Sequence, residues 1–372
     1  MLKSHFNLQN KTEPEQDQFL ETSETEEAQD KQDAQDALEG EGLSEEEVTE
    51  QKVVYPERRL NRSEVSVRLS LLGKTAEGDG YTYLKATCTG MSLTNISAIR
   101  SFQHLQFVNF SNNNLDLESL QDVTALPFLV LIHADKNVLY SAALKKMKYM
   151  QVIIMNNNFL TSVHDVYQPE LCTLEVGYNK IKEISFANKM PHIKCLDFRY
   201  NLIQEIHDID FPNLDSLYLA GNKITSLVGI ERLVNLRILH VRYNPIKLLN
   251  GFDAGLKKLQ YINLRNCKVA TLKQVKKLRV LPGLETLILK GCPYMGGTGE
   301  EDDEVGVEEE DTDLRVEVLA SLPKLKRINK GACTPEERSE AKELIKQWIE
   351  EGENDEEEVV EEQELEENSN AD

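Results

Sequence analysis

The stretch Leu214 to Ile246, LDSLYLAGNKITSLVGIERLVNLRILHVRYNPI, states one unit twice. Leu214, Leu217, Leu219, Asn222 and Ile224 fill the frame L-x-x-L-x-L-x-x-N-x-L. Leu236, Leu239, Val241, Asn244 and Ile246 fill it again 22 residues later. Side chains alternate between the faces of an extended segment. The L-x-L pair therefore predicts a short strand with both apolar residues turned inward. The asparagine falls where the chain leaves that strand. Its amide can bond backbone groups of the turn that burial would otherwise leave unpaired. One such unit cannot cover its own apolar face, so the pattern predicts stacking.

The frame continues in both directions. Upstream, the asparagine place is held by Asn201, Asn179, Asn158, Asn137 and Asn113; downstream, Cys267 and Cys292 take it. Successive places are 24, 21, 21, 22, 21, 22, 23 and 25 residues apart, which makes nine units in register. A degenerate tenth is read at Tyr81, with Leu84 and Ala86 inward and Thr89 in the asparagine place. A repeat of this length with this frame is the leucine-rich repeat signature. The expected fold class is α/β: one right-handed solenoid with a parallel sheet on its concave face. Units of about 22 residues leave room only for 3-10 or irregular convex segments.

A solenoid needs a cover at each end. In residues 57–73, ERRLNRSEVSVRLSLLG, Val65, Leu69 and Leu72 suit a helix face, while Val65, Val67, Leu69 and Leu71 suit a strand. The reading preferred is a short capping helix. Beyond Cys292, Gly296, Gly297, Gly299 and an acidic run predict an exposed loop over 296–313. Leu322, Leu325 and Ile328 then suggest a last strand edge. Thr334 as N-cap, Pro335 at the first helical position and Glu337 as capping-box partner start a helix. Ala341, Leu344, Ile345, Trp348 and Ile349 give it a one-sided apolar stripe, expected to seal the last repeat. The domain reading is an acidic disordered segment over 1–55, the solenoid with its caps over 56–349, and a second acidic disordered segment over 350–372.

The net charge of −22 is unevenly spread. Residues 1–52 hold 16 acidic and 4 basic residues, 298–313 hold 10 acidic and no basic, and 350–372 hold 13 acidic and no basic. The remainder carries about +13 by the same count. The plain reading of the acidic strings is solvated chain; the sharper one is competition with an anionic partner for a basic surface. The beginning of the sequence lacks an apolar run, and no stretch reaches the ~18 apolar residues of a membrane span. Cytoplasm, cytoskeleton or nucleus is the expected location, with no membrane partner.

The six cysteines show no C-x-x-C spacing and no Cys/His cluster, so no metal is expected. Cys267 and Cys292 could adjoin on the asparagine ladder, where buried thiols are the ordinary reading and a disulfide the other. G-x-S-x-G, H-E-x-x-H, the phosphate-binding G-x-x-x-x-G-K-[ST] and the dinucleotide G-x-G-x-x-G are all missing. The expectation is a protein that is not an enzyme, with no cofactor and no small-molecule substrate.

Binding by the concave sheet is the default use of this shape. Residues two, four and six places before the asparagine should point outward there. In the N-terminal units these include an apolar group of Phe107, Leu131, Val152 and Ile154. In the C-terminal half they include Arg199, Arg242, Arg265 and Lys290 beside Tyr218 and Tyr261, with Tyr200 and Tyr243 directly before the asparagine. Tyrosine and arginine are frequent interface anchors, so this face is the candidate protein-binding site. A basic surface with tyrosines also suits RNA, but no RNA-binding motif accompanies it, and nucleic acid is not the expected partner.

The closing LPKLKRIN and the capped helix after it resemble the group containing the protein-phosphatase-1 regulatory subunit, the axonemal dynein light chain and the U2 snRNP A′ protein. Residues 78–115, GDGYTYLKATCTGMSLTNISAIRSFQHLQFVNFSNNNL, and 251–272, GFDAGLKKLQYINLRNCKVATL, resemble the leucine-rich repeat-containing protein 23 family, radial spoke components of cilia and flagella. The resemblance spans about residues 60–349. It implies a non-catalytic scaffold in the third radial spoke of the axoneme, contacting spoke head or neck proteins and supporting sperm motility. Cys267, Cys292 and the acidic insert depart from the pattern and fit a diverged paralogue. The alternatives are a phosphatase-regulatory or nuclear acidic adaptor and an RNA-binding splicing component.

Overall fold

A computed structural model describes residues 55–76, 78–206, 209–299 and 311–351. The readings of residues 1–54, 300–310 and 352–372 lie outside these. The described residues hold one 13-stranded sheet whose strands follow chain order from β1 to β13. β1 is Leu69–Lys74 and β2 Tyr81–Thr87. Nine three-residue strands follow, one per repeat: β3 Phe107–Asn109, β4 Leu131–His133, β5 Val152–Ile154, β6 Thr173–Glu175, β7 Cys195–Asp197, β8 Ser216–Tyr218, β9 Ile238–His240, β10 Tyr261–Asn263 and β11 Thr286–Ile288. β12 is Arg327–Ile328 and β13 Gly331–Ala332. Pairing is parallel from β2 to β12 and antiparallel at both ends, so a hairpin closes each edge of the sheet.

The inward L-x-L pairs build the core. Val108 and Phe110, Leu196 and Phe198, Leu217 and Leu219, and their equivalents in every repeat are at most 1% exposed. The asparagines knit one repeat to the next. Asn222 is typical: its Nδ2 donates to the carbonyls of Phe198 (2.9 Å), Leu219 (3.0 Å) and Ala220 (3.3 Å), and its Oδ1 accepts the Ile203 N–H (3.1 Å). Leu219 and Ala220 belong to its own unit; Phe198 and Ile203 belong to the one before. The same set recurs at Asn137, Asn158, Asn179, Asn201 and Asn244.

Where cysteine replaces asparagine, the thiol keeps the donated bond to the preceding repeat. Cys267 Sγ donates to the Val241 carbonyl at 3.2 Å and Cys292 Sγ to the Leu264 carbonyl at 3.0 Å. Both are free thiols at 0% exposure. Burial raises the Cys267 thiol far above its usual range and that of Cys292 to about 12. Since the thiolate is the reactive form, neither should react with an aromatic disulfide reagent in the folded protein. Both should react in urea, as peptide mass spectrometry would show. Rapid native labelling at Cys267 would contradict this packing.

The residue before each asparagine place turns the chain out of the strand. Gly90, Asn112, Lys136, Asn157, Tyr178, Tyr200, Gly221, Tyr243, Asn266 and Gly291 all have φ between 51° and 79°. This column corrects the reading of the first unit. Ala86 pairs with Val108, so Ala86 and Cys88, not Leu84 and Ala86, form the L-x-L pair. Met91, not Thr89, holds the asparagine place, its N–H donating to Asn113 Oδ1 at 3.0 Å. β2 is seven residues long, and a shift of two leaves every facing unchanged, so alternation alone could not choose.

The convex side follows from unit length. The 24-residue step from Asn113 to Asn137 holds the helix Leu117–Leu120 and the 3-10 turn Gln121–Ala125. The 25-residue step from Cys267 to Cys292 holds the helix Leu272–Lys277 and the 3-10 turn Leu278–Val280. A helix rises about 1.5 Å per residue against about 3.3 Å in extended chain, so extra residues are taken up by winding. A helix the sequence reading missed, Thr312–Ser321, starts inside the stretch expected to be loop; Asp311 caps it, accepting the N–H groups of Asp313 and Leu314.

The N-terminal cap combines both candidate elements. Arg62–Ser66 is a helix with an Asn61–Glu64 capping box, and β1 follows it. Val65 is fully buried, but Val67, Leu71 and Leu72 are exposed, so neither expected face is realised. Leu71 sits at φ 59° between the pairs Ser70–Lys85 and Leu72–Tyr83, in unbroken register, so its left-handed backbone interrupts the alternation. At the other end, the helix Pro335–Glu351 begins at the Thr334–Glu337 capping box. Ala341 is buried and Leu344, Ile345 and Trp348 pack on the core, while Ile349 stays 74% exposed. Buried Arg315 ties the last elements together, bonding Glu337 at 2.7 Å and the Ile328 carbonyl at 2.8 Å.

Candidate protein-binding face

The parallel register stacks equivalent residues of successive repeats side by side on the concave face. Phe107, Leu131 and Val152 are direct neighbours across β3, β4 and β5, all half-buried. Ile154 lies one column over, between His133 and Glu175. The apolar N-terminal group of the sequence reading is thus contiguous.

Next along the face is an acidic group that the sequence reading did not single out. Asp135 lies 2.8 Å from His133 Nε2, and Glu175 pairs in register with Asp197. Burial, then the charges of Asp197 and Asp135, raise the Glu175 carboxyl above its ordinary range. The hydrogen bond to Asp135 raises His133. The signal was present: Glu175 and Asp197 occupy one outward column and Asp135 the next. Asp197 closes this zone by binding Arg199, with Nη2 to Oδ2 at 2.7 Å.

The C-terminal half is aromatic and basic. Arg199 lies 5.7 Å from the Tyr218 ring centre. The rings of Tyr218, His240 and Tyr261 stack across three strands, each step 4.8 Å, at 26° and 28°. Arg242, Arg265 and Lys290 occupy successive rungs. Their carbonyls accept the N–H groups of Gly221 (2.9 Å), Tyr243 (2.9 Å) and Asn266 (3.0 Å) of the preceding repeats. Arg265 and Lys290 are half-buried. Arg242 and Tyr261, expected to be exposed, are only 5% and 7% exposed. Every residue of β9 and β10 is buried, because the large rings lean over their neighbours.

Tyr178, Tyr200 and Tyr243 line the rim in left-handed conformation, which costs a non-glycine residue roughly 1–2 kcal/mol. Tyr178 and Tyr200 stack at 4.6 Å and 14°, and Arg242 lies 5.5 Å from the Tyr243 ring centre. The Tyr200 ring covers Gly221, where a Cβ would come within 2.4 Å of it.

His240 makes this face sensitive to acid. Burial, and secondly the charge of Arg199, push its pKa down to about 3. The folded chain therefore keeps the ring neutral, while the unfolded chain takes up a proton below its ordinary 6.5. Stability should fall as pH drops from 6.5 toward 3, by up to about 1.4 kcal/mol per pH unit from this residue. Urea midpoints at pH 7 and pH 5 should therefore differ more for the unmodified protein than for His240→Phe. Equal differences would mean that the ring is hydrated.

Among the described residues, no group of three or more His, Cys, Asp or Glu side chains is placed to hold a metal, and no helix is long and apolar enough to cross a membrane. The thirteen-strand stack with an asparagine ladder defines a leucine-rich repeat protein, a fold that serves as a scaffold for protein–protein contact. A family model for leucine-rich repeats (2 copies) matches residues 212–254. Leucine-rich repeat-containing protein 23 of Bos taurus is 33% identical over 279 residues, 74% of this chain and 77% of that protein. The Homo sapiens protein of the same name is 33% identical over 285 residues, 76% and 78% of the two chains. The chain belongs to the leucine-rich repeat-containing protein 23 family. The functional domain of InlJ from Listeria monocytogenes aligns at 18% identity and TM-score 0.43, covering 67% of this chain and 63% of that one.

Proposed function

We propose that this protein is a non-catalytic scaffold of the ciliary and flagellar axoneme, a component of the third radial spoke, holding a spoke head or neck protein on its concave face. One observation carries the binding half of this reading. Arg242, Arg265 and Lys290, each two residues beyond β9, β10 and β11, run beside the stacked Tyr218, His240 and Tyr261 of β8, β9 and β10, and Arg265 and Lys290 keep part of their surface exposed. A rigid aromatic platform flanked by cations suits an acidic protein segment. The acidic zone around Glu175 would take a basic group of the same partner, and it repels a phosphate backbone, which favours protein over RNA. The axonemal half rests on the resemblance of residues 78–115 and 251–272 and on family membership. The test is antibody staining of motile ciliated cells or sperm before and after detergent extraction. Signal kept along the extracted axoneme is expected; nuclear signal, or signal lost with the detergent, would overturn the spoke reading and bring forward phosphatase or RNA partners.

A further inference from the structure

We propose that a groove at the C-terminal end of the solenoid is the docking site of the chain's own acidic segment, residues 352–372. The groove, of about 530 Å³, lies between the convex turn after Leu272–Lys277, the chain from Ala320 to Leu325 and the last turns of Pro335–Glu351. Its floor is apolar, with Leu281, Leu284, Leu322 and Trp348 among its walls. Lys276, Arg279 and Lys324 also line it, and among the described residues no carboxylate does. Lys276 Nζ lies 4.9 Å from the Trp348 ring centre, and Ile349 at its side is 74% exposed. An occupant must therefore be aliphatic in the middle and anionic around it.

Residues 352–372, EGENDEEEVVEEQELEENSNAD without its first Glu, answer that description: 11 acidic residues, none basic, with Val359, Val360 and Leu365 set among them. They continue directly from the helix whose residues Ile345, Trp348 and Ile349 line the groove. Val359 lies seven residue steps beyond Gly352, a reach of roughly 23–25 Å in extended chain. A tether this short holds the segment at millimolar effective concentration, so a weak contact is enough to keep the groove filled. The acidic residues of 1–52 are a poorer fit, since they are interrupted by four lysines and join the solenoid at its opposite edge.

Trp348 is the single tryptophan, so its emission reports on the groove alone. The full chain is compared with its Val359→Ser, Val360→Ser, Leu365→Ser variant, which keeps every charge and leaves the solenoid untouched. A red shift and loss of protection from acrylamide are expected in the variant, and also in the unmodified chain at raised ionic strength. Lys276→Glu with Lys324→Glu should do the same at low salt. Adding a synthetic 352–372 peptide to the serine variant should restore the original emission. Identical spectra and quenching of the unmodified chain and the serine variant would overturn the proposal. So would a signal that depends on protein concentration, which would assign the groove to the segment of a second copy.

Discussion

Replacing Asn222 with alanine is expected to cost about 5–7 kcal/mol, from about 1 kcal/mol for each of the four lost hydrogen bonds and about 1–3 kcal/mol for a stranded buried group. Asn222 is 6% exposed. It donates to three carbonyls and accepts one N–H. Alanine leaves those carbonyls short of a partner and the Ile203 N–H buried with none. Carbonyls tolerate this better than N–H groups, so the stranded N–H dominates. The loss should be local at first, because each repeat touches only its neighbours. Amide exchange should accelerate in the repeats around Asn201 and Asn244 before it does at β3 or β11. Asn222→Cys makes a sharper comparison. Cys267 shows that a thiol can keep the bond to the preceding repeat, and there the Ile246 N–H turns to the Asn244 carbonyl of its own repeat at 2.8 Å. Cysteine at 222 should therefore destabilise roughly half as much as alanine. Equal losses would show that the acceptor oxygen matters more than the donor.

The same ladder explains why so much of this fold was legible in the sequence. L-x-L repeats nine times, seven of them followed by the asparagine and two by cysteine, and each repetition corrects errors in the others. Legibility failed where that redundancy ended. β2 has no preceding unit to fix its register, so Thr89 and Met91 could not be told apart until Gly90 was seen to share the left-handed column. Leu71 is exposed where its backbone turns left-handed, at φ 59°, which period counting cannot see. The helix Thr312–Ser321 was hidden because its cap, Asp311, read as one more acidic residue of a loop. On the candidate face, the frame placed Phe107, Leu131, Arg199, Tyr218, Arg265 and Lys290 on the correct side. It could not say that Tyr218, His240 and Tyr261 would stack, because that depends on ring orientation. The burial of Arg242 and Tyr261 follows from the stack and was missed with it.

That burial decides how the binding face should be tested. Reversing Arg242 would place a carboxylate in a site only 5% exposed, and lost folding would be mistaken for lost binding. Arg265 and Lys290 are half-buried on the next two rungs, so Arg265→Glu with Lys290→Glu changes the face while sparing the core. Purified protein would be rebound to salt-stripped axonemes over a range of salt concentrations. The double reversal is expected to weaken binding by about 100-fold or more at low salt, since two charged contacts at a part-desolvated interface carry about 1.5–3 kcal/mol each and 1.4 kcal/mol is a factor of ten. The gap should narrow as salt screens the attraction. The control is Lys257→Glu with Lys258→Glu, an equal change of net charge at two exposed residues before β10. If the concave column holds an acidic partner, the control binds as the unmodified protein does. If both pairs weaken binding alike, the partner senses only the overall charge of the solenoid. If neither does, the contact lies elsewhere, and the apolar strip of Phe107, Leu131 and Val152 becomes the surface to change next.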